Sequence, residues 1–451
     1  MIDLLLVNGQ YPDYEKGEMV KGNVGIDGGK IVFIGNETPE AAKVIDVKGD
    51  VVSPGFIDIH MHEEKFLTEG DKYVIAQMML EMGVTTAVGG NCGLQNQDLS
   101  EFKAAIERMG GSPINYIMLA GYNQFRYQLG IGRYEEATLE QREEIRKLLK
   151  RELDEGAFGV SFGIEYDPGI TYDEMLYAAG VSDDPNLILA AHYRNDCIND
   201  IESIEEMIKF AEEIPMKFQI SHLSSCSAMG FMKESLEAIN DAMEKNPRLN
   251  YDTYPYNAFS TLMGSAVFED GCFDDWKKDY SDILLTDEPY KNVRCNKEIF
   301  EKVREEYPEM LAVAFVMNEE EIAAAIANKY GMVASDAIIT NGNGHPRAAG
   351  TFPRVLGKYV REEKVLPLID ALRKMTLEPA KVLGLDNKGI IKVGADADIT
   401  VFNPDTIIDG ATFQDLHIQP EGIDYVFIGG KMATEGKTTV NGRLGRFISY
   451  K

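Results

Sequence analysis

The chain has 451 residues, of which 44% are hydrophobic and 26% are charged, as in ordinary globular proteins. This length allows one large domain of barrel size together with a smaller domain. Its 45 basic and 74 acidic residues give a net charge of −29, which argues against nucleic acid or an anionic membrane surface as a partner. The same charge repels an anionic substrate at long range, so such a substrate needs a specific cation in its binding site.

Cysteine content and the apolar pattern indicate a protein of the reducing cytosol. The five cysteines are odd in number and irregularly spaced, which argues against a disulfide framework. No apolar stretch approaches the ~20 residues that a bilayer span needs. Residues 1–7 lack the basic segment and cleavage site of a signal peptide, and they have the pattern of a first β-strand. We therefore expect a cytoplasmic protein without a membrane partner.

Short strands separated by turns occupy both ends of the chain. Residues 23–35 have the pattern of a hairpin with a glycine-containing turn. Residues 390–394 and 425–431 have similar strand patterns near the other end. Neither end holds enough apolar residues for a core of its own. We therefore predict one small β-sandwich domain built from residues 1–52 and 386–451.

The pattern changes between residues 53 and 385, where short strands alternate with helices. Strand-like segments such as 85–88 and 187–191 alternate with segments of helical periodicity such as 139–155 and 201–213. Alternation sustained over this whole range predicts an α/β fold, a (β/α)8 TIM-like barrel. The active site of such a barrel lies at the carboxyl ends of its strands.

Residues 264–335 interrupt this alternation before the last predicted barrel strand. They contain charged helical segments, at 296–306 and 318–330, together with aromatic loops. We interpret the stretch as an insertion. It is either a lid over the active site or a solvated decoration without a catalytic role.

Two histidines follow the apolar run 51–57, which leads into the first predicted barrel strand. His60 and His62 are two residues apart, and alternate side chains of a strand share a face, so both imidazoles can bind one metal ion. A His-x-His pair alone is weak evidence. However, the chain has only six histidines, and His192 and His222 also follow short strand-like runs.

Cysteine and histidine side chains at the ends of predicted strands form a candidate metal centre. Cys92 follows a second strand and joins the four histidines in this position. Imidazole and thiolate are ligands that zinc prefers, and catalytic zinc sites keep one position open for water. Each residue alone is explained by ordinary core packing, but five of them at strand ends predict a metal site.

Asp336 lies at the end of the last predicted barrel strand. A carboxylate there can take a proton from metal-activated water and return it to a leaving group, and the alternative is a cap for the next helix. Arg347 follows in His-Pro-Arg. Its planar guanidinium suits a substrate carboxylate, and the alternative is a surface ion pair.

Two loops contribute further candidates. Tyr254 and Ser260 lie in a loop rich in hydroxyl groups and aromatic rings, where they can donate hydrogen bonds to the same carboxylate or simply pack. Glu165 follows the fourth predicted strand. Its carboxylate can bridge two metal ions, orient a ligand or cap the following turn.

These residues together resemble the amidohydrolase superfamily and, within it, the D-aminoacylase (N-acyl-D-amino-acid deacylase) family. The resemblance covers nearly the whole chain. The cysteine ligand is the feature that discriminates this branch, whereas His-x-His is common to the superfamily. The matching motifs are Pro-Gly-Phe-Ile-Asp-x-His-x-His at 54–62, Asn-Cys-Gly at 91–93, Ser-His at 221–222, Tyr-Pro-Tyr at 254–256, Ser-Asp at 335–336, His-Pro-Arg at 345–347, Gly-Thr-Phe-Pro-Arg at 350–354 and Gly-Ala-Asp-Ala-Asp-Ile at 394–399.

The resemblance implies zinc as the cofactor. Cys92, His192 and His222 match the tight zinc site of the family. The same cysteine, with His60 and His62, matches a weaker second site.

The resemblance also implies the reaction and the residues that carry it. Asp336 matches the general acid and base of the family. Arg347, Tyr254 and Ser260 match its clamp on the α-carboxylate of the substrate. The implied activity is hydrolysis of N-acyl-D-amino acids, small molecules, to a carboxylic acid and a D-amino acid. The D preference rests on the resemblance alone.

Two positions depart from the family pattern. Many superfamily members bridge two metals with a carboxylated lysine after the fourth strand, where this chain has Glu165. The family often has a lysine two residues after the Ser-His histidine, where this chain has Ser224. The second departure bears on how the substrate is held there and on which side chain is accepted.

The residues leave two other functions open. A cyclic-amide hydrolase of the hydantoinase or dihydroorotase kind has the same barrel, but Cys92 and the missing strand-four lysine count against it. A non-catalytic scaffold would be expected to have lost metal ligands, whereas the candidate set here is complete.

Overall fold

A computed structural model describes residues 1–451 of the chain. Of these residues, 203 are buried, and the largest apolar cluster holds 97 of them. That cluster lies mainly between the barrel strands and the helices around them, and a separate cluster of 13 buried residues contains the alternate strand positions, such as Ile117 and Ile188. None of the helices has both the length and the apolar composition required to cross a membrane.

Eight short parallel strands form the barrel, and neighbours in the chain pair with each other. The ring closes where Asp336 N donates to His60 O at 2.8 Å and His62 N donates to Ala337 O at 2.8 Å. The predicted (β/α)8 barrel is therefore confirmed. Its strands are Phe56–Asp58, Val84–Gly89, Asn115–Met118 with Ala120–Gly121, Gly159–Gly163, Ile188–His192, Lys217–Ile220, Leu249–Thr253 and Met332–Val333.

Helices cover the outside of the barrel, which explains why its strands are apolar on both faces. Side chains typical of helix starts bond to the free backbone N–H groups there. Thr138 caps the helix Leu139–Asp154 through a capping box with Gln141. Asn296 caps another. The helices are Phe66–Glu69, Ile75–Glu81, Leu99–Arg108, Tyr122–Gln128, Leu139–Asp154, Tyr172–Ala179, Asp200–Glu213, Leu223–Ser227, Met232–Lys245, Cys272–Trp276, Lys297–Glu306, Glu319–Ala327, Arg347–Arg354, Leu368–Met375 and Leu377–Leu383.

Strands from both chain ends form one nine-stranded sheet over a core of 14 buried residues. The two ends are joined where Val51–Pro54 pairs with Ile399–Phe402 in antiparallel fashion. The small domain is thus β-rich, as predicted, and its strands are continuous in one sheet. The strands are Ile2–Asp13, Glu18–Asp27, Lys30–Gly35, Ala41–Asp46, Val51–Pro54, Ile399–Phe402, Ile423–Ile428, Lys431–Glu435 and Thr438–Thr439.

The predicted strand at 390–394 is absent, and this segment forms turns. Gly389 and Gly394 flank it with φ values of 73° and 94°, so the backbone turns at both ends and no ladder forms. Ile391 still packs into the core of the sheet. The apolar pattern of this segment reflects burial and not strand structure.

The domain boundaries stay a prediction. They assign residues 1–52 and 386–451 to the small domain and residues 53–385 to the barrel. The last residues of the chain lie against the barrel, where Tyr450 N donates to Gly156 O at 2.9 Å. Ser112 and Gly445 form an isolated bridge in the same region.

An inserted sheet separates the seventh and eighth barrel strands. Phe259–Leu262, Ile283–Leu285 and Leu311–Ala314 form its three antiparallel strands, so its first strand precedes the predicted start at residue 264. The helix Glu319–Ala327, inside the predicted insertion, packs with the barrel helices: Gly230 N donates to Glu321 Oε2 at 2.8 Å. Whether the insertion acts as a lid stays a prediction.

A buried lysine fixes the chain just before the eighth barrel strand. Lys374 Nζ donates to Asn328 O at 2.6 Å and to Gly331 O at 3.2 Å, and it also donates to Tyr330 O. These carbonyls turn away from the helical path, which is why the helix predicted to reach Tyr330 ends at Ala327.

Replacing Lys374 with Met tests this anchor. The side chain keeps a similar volume, but the three carbonyls lose a charged donor, so we expect stability to fall by about 2–4 kcal/mol. Thermal and denaturant unfolding measure the change. The control is Lys381→Met, because Lys381 is exposed and ion-paired to Glu378 at the surface, where such pairs contribute little. Equal effects of the two substitutions would contradict this account.

Candidate metal centre

The sulfur of Cys92 lies at the centre of the candidate site. It is 3.3 Å from His60 Nε2 and 3.4 Å from His222 Nε2. Burial raises the pKa of this thiol, but His60 and His222 outweigh burial and hold the pKa well below its usual value. The lowered pKa favours the thiolate, the form in which cysteine binds metals.

Two groups of metal-binding side chains share this sulfur. One comprises His60, His62, Cys92 and Asp336, and the other comprises Cys92, His192 and His222. All of these residues are buried, and within each group the ligand atoms lie within 4.8 Å of one another. The structure thus brings together the five strand-end residues singled out in the sequence.

Three residues of the site have strained backbone conformations. The φ values are 54° for Cys92, 33° for His222 and 49° for Asp336. A non-glycine residue in this left-handed region costs about 1–3 kcal/mol and is kept where the surrounding structure enforces it. Such strain is concentrated at functional sites, and here it lies at the ends of three different barrel strands.

Asp336 connects the histidines to an arginine. Its Oδ1 is 3.3 Å from His62 Nε2, and its Oδ2 is 3.0 Å from Arg347 Nη2. Burial raises the pKa of this carboxyl, but Arg347 and the histidines outweigh burial and hold the pKa well below its usual range. Asp336 is therefore ionised and able to accept a proton. It caps no helix, since an irregular segment follows it.

Arg347 is buried, with only 1% of its surface exposed, and so it does not form a surface ion pair. Its Nη2 also donates to Ser260 O at 3.3 Å, and its Cζ lies 4.7 Å from the centre of the Tyr254 ring. Its Nε and Nη1 and the hydroxyl of Ser260 have no hydrogen-bond partner, although they are buried. Unpaired buried donors are costly, so these groups are suited to receiving an acceptor such as a carboxylate.

Glu165 lies beside the second donor group. Its Oε2 is 2.5 Å from His192 Nε2, and Glu165, His192 and Cys226 form a further cluster of ligand-type atoms within 4.8 Å. This contact is compatible with binding a metal and with orienting His192. The role of Glu165 therefore stays a prediction.

Comparison with known proteins agrees with this arrangement of donors. The profile described as “Amidohydrolase family” matches residues 51–433. The chain belongs to the amidohydrolase family. A D-aminoacylase of Alcaligenes xylosoxydans xylosoxydans is 28% identical to it, over 99% of this chain and 97% of that protein.

Two solved structures extend the similarity to the fold. A D-aminoacylase described as defining a novel subset of amidohydrolases has a TM-score of 0.88 at 27% identity and covers 100% of both chains. An N-acyl-D-glutamate deacylase of Bordetella bronchiseptica, complexed with zinc and a phosphonate inhibitor, has a TM-score of 0.88 at 26% identity and covers 99% of both chains. The resemblance to the D-aminoacylase branch is therefore confirmed.

One residue of this amidohydrolase site was missed by the sequence reasoning. Asp252, in the seventh barrel strand, accepts hydrogen bonds from His60 Nδ1 at 3.3 Å, His222 N at 2.9 Å and Gln219 Nε2 at 2.8 Å. A carboxylate that orients ligating histidines in this way tunes a metal site. The available signal was a single acidic residue within an otherwise uncharged strand.

Two neighbours of His222 were also missed. Ser225 Oγ lies 2.7 Å from His222 Nδ1, and Cys226 Sγ lies 3.9 Å from the same nitrogen. Ser224, where the family often has lysine, is buried and bonds to the backbone of Tyr254 at 3.3 Å. It therefore braces the Tyr254 loop and presents no charge to a substrate.

Two cavities of different size meet at this site. The smaller, of about 20 Å³, is bounded by Glu165, His192 and His222. The larger, of about 400 Å³, extends past His62. Asp336 and Ser260 line both cavities, and Ser260 belongs to the inserted sheet. The insertion thus forms part of the wall of the site.

The donors fit a zinc ion. One thiolate, several imidazoles and carboxylates form the set that zinc binds in proteins. His192 Nδ1 is buried without a hydrogen-bond partner, as expected of a nitrogen whose partner is an ion.

Replacing Cys92 with Ser tests whether one sulfur serves both donor groups. We expect zinc affinity to fall by at least about a hundredfold, since both groups lose their thiolate. Zinc bound after dialysis against a competing chelator measures the loss. The control is Cys272→Ser, because Cys272 lies in the insertion and belongs to neither group. Full zinc retention by the Cys92 variant would exclude this site.

Proposed function

We propose that the chain is a zinc-dependent enzyme that hydrolyses the amide bond of N-acyl-D-amino acids. The products are a carboxylic acid and a D-amino acid. The observation that carries the proposal is the buried Arg347, whose free donors lie beside Asp336 and the thiolate–imidazole group. Full-length similarity to a D-aminoacylase supports the choice of substrate and of stereoisomer.

The metal-binding residues follow from the two donor groups. Cys92, His192 and His222 hold the tight zinc in this proposal. His60 and His62 share Cys92 in a second, weaker site. Zinc supplies Lewis acidity when bound: it lowers the pKa of water towards ~7 and polarises an amide carbonyl.

Asp336 moves the proton in the proposed reaction. Its Oδ1 accepts a proton from the attacking water, because the carboxylate is ionised and so has a free acceptor oxygen. The carboxyl then donates this proton to the amide nitrogen as the bond to the acyl carbon breaks. One residue thus serves as base and then as acid.

The remaining side chains orient the substrate. Arg347 Nε and Nη1 and the Ser260 hydroxyl donate to the α-carboxylate, and Tyr254 supports the guanidinium from its ring face. Fixing the carboxylate aligns the scissile amide with Asp336, and such positioning lowers the barrier. In a chain of net charge −29 this buried arginine supplies the local cation that an anionic substrate requires.

Turnover of paired N-acetyl-D- and N-acetyl-L-amino acids by zinc-loaded protein is the direct test. We expect amine release from D substrates only. Asp336→Asn is expected to lower kcat by about 10²–10⁴-fold, the usual contribution of a general acid and base, with zinc content unchanged.

Two outcomes would contradict the proposal. Near-normal turnover by the Asn variant would exclude Asp336 as the proton carrier. Failure of the zinc-loaded protein on both series, with hydrolysis of hydantoins or dihydroorotate, would establish the cyclic-amide alternative.

Arg347→Met tests the carboxylate clamp. Loss of a buried charge partner costs 2–5 kcal/mol, so we expect kcat/KM to fall by about a hundredfold or more. The matched substrate is the α-carboxamide of the same N-acetyl-D-amino acid. Because it lacks the carboxylate, the variant and the parent protein should differ much less on it. An equal loss on both substrates would indicate that Arg347 acts only through Asp336.

A further inference from the structure

The 400 Å³ cavity beside the metal centre has room for a substrate group larger than the methyl of an acetyl group. The smaller cavity, of about 20 Å³, holds little more than a water molecule. Because both cavities border Asp336, the larger group of a bound substrate must extend into the larger cavity. The walls of this cavity therefore determine which substrates are accepted.

Lys65 places a positive charge on this wall. It follows His62 by three residues and lines the same cavity. Its Nζ donates to Thr340 Oγ1 at 2.9 Å and forms no ion pair. An ammonium group has three donors, so this contact leaves it able to bind an anion.

Arg133 places a second positive charge on the wall. One of its nitrogens donates to Gly264 O at 2.7 Å, which ties it to the insertion, and the guanidinium forms no ion pair. Two cations without ion pairs are unexpected beside one cavity of a chain with net charge −29.

The carboxylates on the wall do not neutralise these two cations. Glu63 accepts from the backbone of Gly90 at 2.9 Å and of Asn96 at 2.6 Å. Asp336 is paired with Arg347. Glu309 is exposed, so solvent screens its negative charge, and it is not ion-paired with either cation. Both cations therefore lack an ion-pair partner on this wall.

Aliphatic side chains complete the wall between the polar groups. They bury the stem of a ligand but offer no hydrogen bonds. These side chains are Ile75, Leu94, Leu262, Ile338 and Ile339.

We propose that this cavity recognises a second anionic group of the substrate, a carboxylate at the end of an aliphatic stem, through Lys65 and Arg133. The inference rests on the proposed function and narrows its substrate class. The carboxylate belongs either to the side chain of the D-amino acid or to the acyl group. Both sources present the same chemistry to the two cations.

Matched substrates distinguish the two sources. N-Acetyl-D-glutamate is compared with N-acetyl-D-glutamine, and N-glutaryl-D-alanine with its terminal carboxamide. Each pair differs only in one charge. We expect kcat/KM to favour one acid over its amide by at least about tenfold, and that pair identifies the source.

Variants that remove one positive charge then test whether Lys65 and Arg133 cause the preference for the acid substrate over its amide. Lys65→Met and Arg133→Met should each lower kcat/KM for the preferred acid by about ten- to a hundredfold, since hydrogen bonds to charged groups contribute about 1.5–3 kcal/mol. The matched amide should be hydrolysed nearly as before, which also shows that each variant is folded. Lys65→Arg should retain much of the preference. Lys431→Met, an exposed substitution in the terminal sheet, controls for the change in net charge.

The outcomes separate this inference from the proposed function. Hydrolysis of neutral N-acyl-D-amino acids without any preference for either acid would overturn the inference and leave the deacylase intact. Equal loss on acid and amide in both variants would also overturn it. Absence of hydrolysis of every N-acyl-D-amino acid would instead contradict the proposed function.

Discussion

The attraction between the Cys92 thiolate and the imidazoles around it is the interaction on which the site depends. Burial disfavours a charged sulfur, and only the nearby histidines offset that cost. His60 and His222 lie after the first and sixth barrel strands, so the sulfur must lie within 3.4 Å of two distant parts of the chain. Only a closed barrel brings these strand ends to one point. The fold is therefore the device that assembles the donors.

The site residues are held in place by strained backbone conformations and by the hydrogen bonds of a neighbouring carboxylate. Cys92, His222 and Asp336 adopt left-handed backbone conformations that their side chains disfavour. Asp252 counteracts this by bonding to both His60 and the backbone of His222. A buried carboxylate in the seventh strand thus orients groups from the first and sixth strands. The positions of the donor atoms therefore depend on the hydrogen bonds of Asp252 as well as on the donor residues themselves.

The strand-end positions of the candidate donors could be read from the sequence because each lies at or just after the end of a short apolar strand. His192, for example, ends the fifth strand, so local pattern alone placed it at the rim. The features that the sequence did not predict depend on contacts between residues far apart in the chain. Asp252 has no spacing signal, and Phe259–Leu262 becomes a strand only by pairing with Leu311–Ala314. The helix end at Ala327 depends on Lys374, far along the chain. Such partners cannot be read from a local window.

The joining of the two chain ends in one sheet has a consequence for biosynthesis. Val51–Pro54 leads directly into the first barrel strand and pairs with Ile399–Phe402. A ribosome releases the amino end first, so this strand waits with an open edge until nearly the whole chain has been made. A nascent chain therefore needs protection from edge-to-edge association until its final strands emerge.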